Sequence, residues 1–253
     1  ATYDHRNQEA SIWHVDGIFK KLVLKTRKCP KAPNGDFNKI KVLGVHQGEL
    51  IFEHAGEIHG FEGYMKKEKP IASSDNGQIE HFISDGKNLS CLICTDHRKQ
   101  SIHKVTKDGK LRPYRINPEF KEFVSDICMH DGKIFYLGGG SVIKKGCFSE
   151  KMIINLSNVF RYREMPEYTL NPVHMCSSPK GLVVASTSDA AGYLGSEDFT
   201  MRELSGGPAT ALLADDEDNL YHTTNNSIYN TTQNELLATF DHEITAACFY
   251  RPK

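Results

Sequence analysis

The sequence predicts an all-β fold built of six similar sheets, and three observations predict it. A short apolar strand, a turn of Gly, Asp, Asn or Ser, and a second strand that soon meets Lys, His or Asn recur along the 253 residues. Another apolar run ending in DG, KG or DN precedes most of these copies. The first copy lacks that preceding run, while the C-terminal stretch ITAACFY supplies one with no copy after it.

The six copies, in order, are SIWHVDGIFKK around Ile18, LIFEHAGEIHG around Ile58, LICTDHRKQSIHK around Ile102, DGKIFYLGGGSVIKKG around Val142, VVASTSDAAGYLG around Tyr193 and LYHTTNNSIYN around Ile228. Their centres lie 40, 44, 40, 51 and 35 residues apart. That spacing suits one four-stranded propeller blade per repeat. The preceding runs IKVLGVHQGE, IEHFISDGK, VSDICMHDGK, VHMCSSPKG and ATALLADDEDN read as the innermost strand of each blade, each ending in a reversal. The expected architecture is a six-bladed β-propeller forming one domain over residues 1–253. Its ring would be closed by Ile244 to Tyr250 entering the N-terminal blade as the inner strand, which would remove two open sheet edges.

The glycines of the fourth copy raise a separate question, because a phosphate-binding loop also uses clustered glycine. Such a loop needs GxGxxG or GxxxxGK leading into a helix. Here Gly138 and Gly140 are followed by Ile143 in the third position, and Ser141 to Gly146 alternates with period two. The glycines therefore serve a hairpin turn, where positive φ is required.

DHEITAACFYRPK and NPVHMCSSPKGLVVASTSD resemble the starts of degenerate WD40-type repeats, and IFYLGGG is similar to the double-glycine signature of kelch repeats. The WD dipeptide is absent, and the single Trp13 lies in a second strand. The resemblance implies a β-propeller without assigning one family within that superfamily.

Composition sets the outer limits of function. Apolar residues make up 39% and charged residues 25%, and no apolar run approaches the length that spans a bilayer. A net charge of −1 gives no global attraction to nucleic acid or to an anionic membrane. Seven cysteines, an odd number spread along strands, read as reduced thiols filling small core positions, which favours cytoplasm or nucleus. Asn-x-Ser/Thr sites at Asn88, Asn155, Asn225 and Asn230 leave secretion open.

Several clusters carry candidate chemistry. Cys91, Cys94, His97 and His103 have a zinc-like spacing, yet two cysteines three apart in a strand point to opposite faces. His46, His54 and His59 could meet across a hairpin, and are read as surface imidazoles. No GxSxG nucleophile elbow occurs. Asn38, Asn76, Glu122, Asn171 and His242 stand just before inner strands and would ring one channel mouth, with Gly207 in the remaining blade. Six-bladed hydrolases of the lactonase and paraoxonase type hold calcium at such a mouth with oxygen ligands, although this set has one carboxylate. Two long connections complete the picture: the basic Lys25 to Asp36, and Ser157 to Pro172, whose Arg161, Tyr162, Arg163 and Tyr168 are residue types that anchor interfaces.

The function these features predict is a non-catalytic interaction scaffold with no cofactor and no metal. A partner peptide or domain would dock on the channel-mouth face through Arg161, Tyr162, Arg163, Tyr168, Asn38, Asn76, Glu122, Asn171 and His242. The alternatives are a calcium-dependent lactonase-like hydrolase and a glycan-binding propeller, the latter weakened by the single Trp. Nucleic acid is a minor alternative at the Lys-Arg loop, and a small-molecule or glycan ligand remains open.

Overall fold

The structure is a computed structural model. It describes residues 2–4, 9–15, 19–25, 42–54, 56–60, 63, 68–74, 77–95, 99–114, 119–146, 149–155, 172–186, 190–194, 199–241, 244 and 247–249. Among these the regular structure apart from helical Gly63 is β-strand, arranged as consecutive antiparallel meanders. The first sheet has three strands, β1 (Thr2–Asp4), β2 (Glu9–Val15) and β3 (Phe19–Lys25). Each of the next five has four.

The second sheet comprises β4 (Val42–His46), β5 (Glu49–His54), β6 (Glu57–Gly60) and β7 (Ala72–Ser73). The third comprises β8 (Gln78–Ser84), β9 (Leu89–Cys94), β10 (Gln100–Val105) and β11 (Leu111–Pro113). The fourth comprises β12 (Val124–His130), β13 (Lys133–Gly138), β14 (Ser141–Lys145) and β15 (Glu150–Asn155). The fifth comprises β16 (Pro172–Ser178), β17 (Gly181–Ser186), β18 (Ala190–Leu194) and β19 (Phe199–Glu203). The sixth comprises β20 (Ala211–Ala214), β21 (Leu220–Thr223), β22 (Ser227–Asn230) and β23 (Glu235–Thr239).

The turns follow from the residues the sequence places there. Gln47–Gly48, Asp131–Gly132 and Gly139–Gly140 are two-residue hairpin loops with both central φ values positive, the type I′ signature. The triple glycine is thus a turn. Gly138 has a different reason to be glycine: a Cβ there would lie 3.0 Å from Glu122 Cβ, 3.1 Å from Tyr136 Cε2 and 3.2 Å from the Phe123 carbonyl.

Two compact units emerge, one of Ala1–Tyr114 with Phe240–Lys253 and one of Arg115–Thr239. In the first unit, β4 and β8 run side by side. The faces of their sheets interdigitate through Ile51, Ile58 and Ala72 against Ile79, Leu89, Cys91 and Ile93. In the second unit β12, β16 and β20 line up in the same way. Phe135, Leu137 and Val142 meet Met175, Leu182 and Val184, while Val183 and Ala185 on the reverse face of β17 meet Leu204, Ala209, Leu212 and Leu220. Burial on both faces explains why GLVVAS is apolar throughout instead of alternating. Each such Leu, Ile or Phe contributes about 1.5–3 kcal/mol over its exposed state.

This stacking of meanders on their first strands is the packing of a β-propeller. The expected closure is corrected. The edge of β2 that the C-terminal strand was to fill is occupied by β1, in the register Thr2↔Ser11, Tyr3↔Ala10 and Asp4↔Glu9, and β3 takes the other edge. A strand has two edges, so Ile244 to Tyr250 has no place beside β2. Ile244 forms an isolated bridge and residues 247–249 have no regular structure. Ala246 and Ala247, poor strand formers, weaken the segment's case for a ladder. Ile244 is nonetheless buried.

Candidate functional site

The entrances to the first strands are built alike in successive sheets. At β8, β12 and β16 a bulge in the pairing with the second strand falls within the first residues of the entering strand. In the fourth sheet Val124 pairs with Gly138 and Asp126 with Leu137, leaving Ser125 as the extra residue. In the fifth, Pro172 pairs with Ser186 and His174 with Ala185. In the first unit, Ile79 pairs with Ile93 and His81 with Leu92, leaving Glu80 extra. Bulges re-aim side chains, and they occur often beside functional sites.

In the second unit the bulge delivers Asp126 to the neighbouring sheet. Asp126 Oδ2 accepts a hydrogen bond from the Met175 backbone N–H at 2.7 Å, and Oδ1 accepts one from the Ile127 N–H at 2.7 Å. His174 Nδ1 lies 3.8 Å from Asp126 Oδ2. Ser125, Asp126 and His174 have the composition of a hydrolytic triad but not its geometry, since Ser125 Oγ donates to the Leu137 carbonyl at 3.4 Å. In the first unit Glu80 Oε2 accepts a 2.6 Å bond from Gln100 Nε2.

Below the β12 entrance, Lys145 and Glu150 form a cross-strand ion pair, Nζ to Oε1 2.9 Å, with each side chain 5% exposed. Lys145 Nζ also donates to the Glu119 carbonyl at 2.6 Å and sits 4.0 Å from the centroid of the Phe120 ring. Phe120 in turn meets fully buried Tyr136 edge-on at 4.9 Å. Burial, then Glu150, raises the Tyr136 pKa well above the ordinary phenol value. The segment approaching β12 is thereby clamped onto its sheet.

The opposite ends of the first strands are stitched too. His46 Nδ1 and Ser84 Oγ share a 2.8 Å hydrogen bond between β4 and β8, and His130 Nδ1 and Ser177 Oγ share one of 2.9 Å between β12 and β16. Lys180 reaches Asp218 at 2.7 Å. Burial lowers the His46 pKa, with Asp85 and Glu49 partly offsetting it.

Of the site residues expected from sequence, Glu122 is described. It is exposed, at the β12 entrance beside Gly138 and Gly139, and is followed by Phe123, which is 60% exposed. Asn38, Asn76, Arg161, Tyr162, Arg163, Tyr168, Asn171 and His242 lie outside the described residues. The zinc-like group does not assemble: Cys91 is wholly buried in the core, where burial pushes its thiol up to about 12, while Cys94 ends the same strand. His103 stands opposite Cys91 in the ladder, and His97 is outside the described residues. His46 bonds Ser84 in the next sheet, whereas His59 stacks on Phe52 and contacts Glu57 at 3.2 Å. Among the described residues no three His, Cys, Asp or Glu side chains are grouped to hold a metal. Asp126, His174, Lys145 and Glu150 were not singled out by sequence.

Neither a protein-family model nor a curated protein matches this chain. Solved structures do. A structure of a nidogen/laminin complex matches with TM-score 0.57 and 13% identity over 79% of this chain and 79% of that one. A gluconolactonase from Xanthomonas campestris matches with TM-score 0.55 and 11% identity over 80% and 76%. The Swd1 β-propeller domain from Myceliophteria thermophila matches with TM-score 0.53 and 11% identity over 75% and 64%. The chain spans 27% of the length of two extracellular sensor-system domains from B. thetaiotaomicron that it also matches. The likenesses to the nidogen/laminin complex, the gluconolactonase and the Swd1 domain establish the β-propeller fold.

Proposed function

We propose that this protein is a non-catalytic interaction scaffold whose partner, a protein segment or domain, docks on the end of the sheets where the first strands enter. One observation carries the reading. At the β12 entrance Asp126 is committed to a hydrogen bond with the Met175 N–H of the neighbouring sheet, while Glu122 and Phe123 stand exposed on a segment clamped by Lys145, Phe120 and Gly138. A rigidly held exposed aromatic beside a charge is what an interface anchor requires, because little side-chain freedom is lost on docking. Arg161, Tyr162, Arg163 and Tyr168, with Asn38, Asn76, Asn171 and His242, lie outside the described residues and enter the proposal as expectations from sequence. Matches to a nidogen/laminin complex and to the Swd1 propeller are consistent with this use of the fold. An odd number of cysteines spread along strands supports cytoplasm or nucleus as the proposed location.

The six-bladed reading is supported by six consecutive antiparallel meanders, five of four strands and the first of three.

The test is comparative crosslinking and mass spectrometry with the parent and with Phe123→Ala plus Glu122→Arg. Loss of a parent-specific partner at an unchanged melting temperature supports the surface. An unaltered partner set overturns it. A melting-temperature rise of several degrees with millimolar calcium would instead favour the hydrolase reading drawn from the lactonase-like fold.

A further inference from the structure

The outermost strand of the fourth sheet carries a second surface of different chemistry. β15 pairs with β14 on one side and is the terminal strand of its sheet among the described residues. Met152 is 58% exposed and Ile153 43% exposed, two adjacent apolar side chains on a sheet edge. Edge strands with unpaired backbone groups are templates for another extended chain.

Charge on this sheet is segregated by face. Lys144 stands directly opposite Lys151 in the register, and Lys144 pairs with Phe135 on the other side. Lys133, two residues before Phe135, shares that face by strand alternation. None of Lys133, Lys144 and Lys151 makes an ion pair or hydrogen bond through its side chain among the described residues, although Lys145 on the reverse face is fully paired with Glu150. Like charges directly opposed across a ladder are destabilising. Met152, one residue from Lys151, pairs with Ile143 and belongs to the reverse face.

We propose that β15 is a docking edge for an extended acidic segment of a partner protein, in which acidic and apolar residues alternate. Such a segment lies along the edge with its carboxylates on the face of Lys133, Lys144 and Lys151 and its apolar side chains beside Met152. The period of two in the incoming strand matches that of Glu150, Lys151 and Met152, and the bulge at Ile153 marks where this match ends. This surface is independent of the strand entrances proposed above as the main docking face. A lysine on an edge also serves to discourage pairing between edges. Three unpaired lysines on one face, beside exposed Met152 and Ile153, instead set a charge requirement on what pairs.

The experiment is fluorescence anisotropy at low salt with a labelled (Glu-Val)4 peptide, and with (Lys-Val)4 and an eight-nucleotide oligothymidylate as comparators. The acidic peptide should bind with saturation, weaken with added salt, and lose at least about tenfold in affinity with Lys144→Glu plus Lys151→Glu. The same variant should take up (Lys-Val)4. Lys151→Glu alone should raise the melting temperature, because it replaces a like-charge pair by an opposite one. Absence of saturable (Glu-Val)4 binding, equal affinity in the charge-reversed variant, or binding of the oligonucleotide in preference to the peptide overturns the proposal.

Discussion

Replacing Lys145 by alanine should be among the most damaging single changes in the second unit. Lys145 and Glu150 are each 5% exposed, at an Nζ to Oε1 distance of 2.9 Å, so removal of the cation leaves a carboxylate in a place water scarcely reaches. Breaking one partner of a buried pair costs about 3–5 kcal/mol. The Glu119 carbonyl loses its donor as well, and the contact over Phe120, about 0.5–2 kcal/mol, disappears. Against a typical total stability of about 5–15 kcal/mol, the sum removes a large share of the margin. Lys145→Met together with Glu150→Leu keeps the volume without the charges and should return most of the loss, because exchanging a whole buried pair for apolar groups is often near neutral. Urea unfolding followed by tryptophan-independent circular dichroism measures both. A Lys145→Ala midpoint shift worth under about 1 kcal/mol, or a double variant no better than the single, would refute the claim that this pair is desolvated and clamps the β12 entrance.

Stability should decline on mild acidification. Burial lowers the pKa of His46, His59, His103 and His222, so the fold favours their neutral forms. Their contribution is complete above the ordinary value of 6.5 and falls as pH drops below it, at up to about 1.4 kcal/mol per pH unit for one fully buried group. His222, held by Thr231 and the Ser205 carbonyl, should dominate, and His222→Gln should flatten a melting-temperature profile between pH 7 and 5. Gly138→Ala should cost about 1–3 kcal/mol in equilibrium unfolding, because the added methyl meets Glu122, Tyr136 and the Phe123 carbonyl at 3.0–3.2 Å. A neutral result would mean that the entrance segment is loose.

The strands were legible where local chemistry alone specifies them. All five runs read as inner strands coincide with β4, β8, β12, β16 and β20, since each joins an apolar run to a reversal that its own residues demand. Ile58, Ile102, Val142, Tyr193 and Ile228 all fall in third strands. Closure was misread because it depends on competition for an edge. Nothing in TYD marks it as a strand, yet it takes the side of β2 assigned to ITAACFY. Glu122 precedes β12, and Phe123 beside it carries no repeat or charge signal in the sequence that marks it as exposed.

Asp126 and His174 escaped notice for a reason internal to the strand. Strict alternation in VSDICMH puts Val124, Asp126 and Cys128 on one face. The bulge breaks that phase, so Val124 shares a face with Ile127, opposite Gly138 and Tyr136, and Asp126 shares one with Cys128, opposite Leu137 and Phe135. The same shift joins Ile79 to Phe82 instead of His81 in β8. One extra residue at the β8 and β12 entrances therefore gives the end of the strand an apolar plug on one side and a polar reach on the other. Asp126 uses that reach to satisfy the Met175 N–H, an edge donor without a ladder partner in its own sheet. A carboxylate serving an edge is withdrawn from chemistry, and groups free to meet a partner must come from outside the ladder, where Glu122 and Phe123 stand.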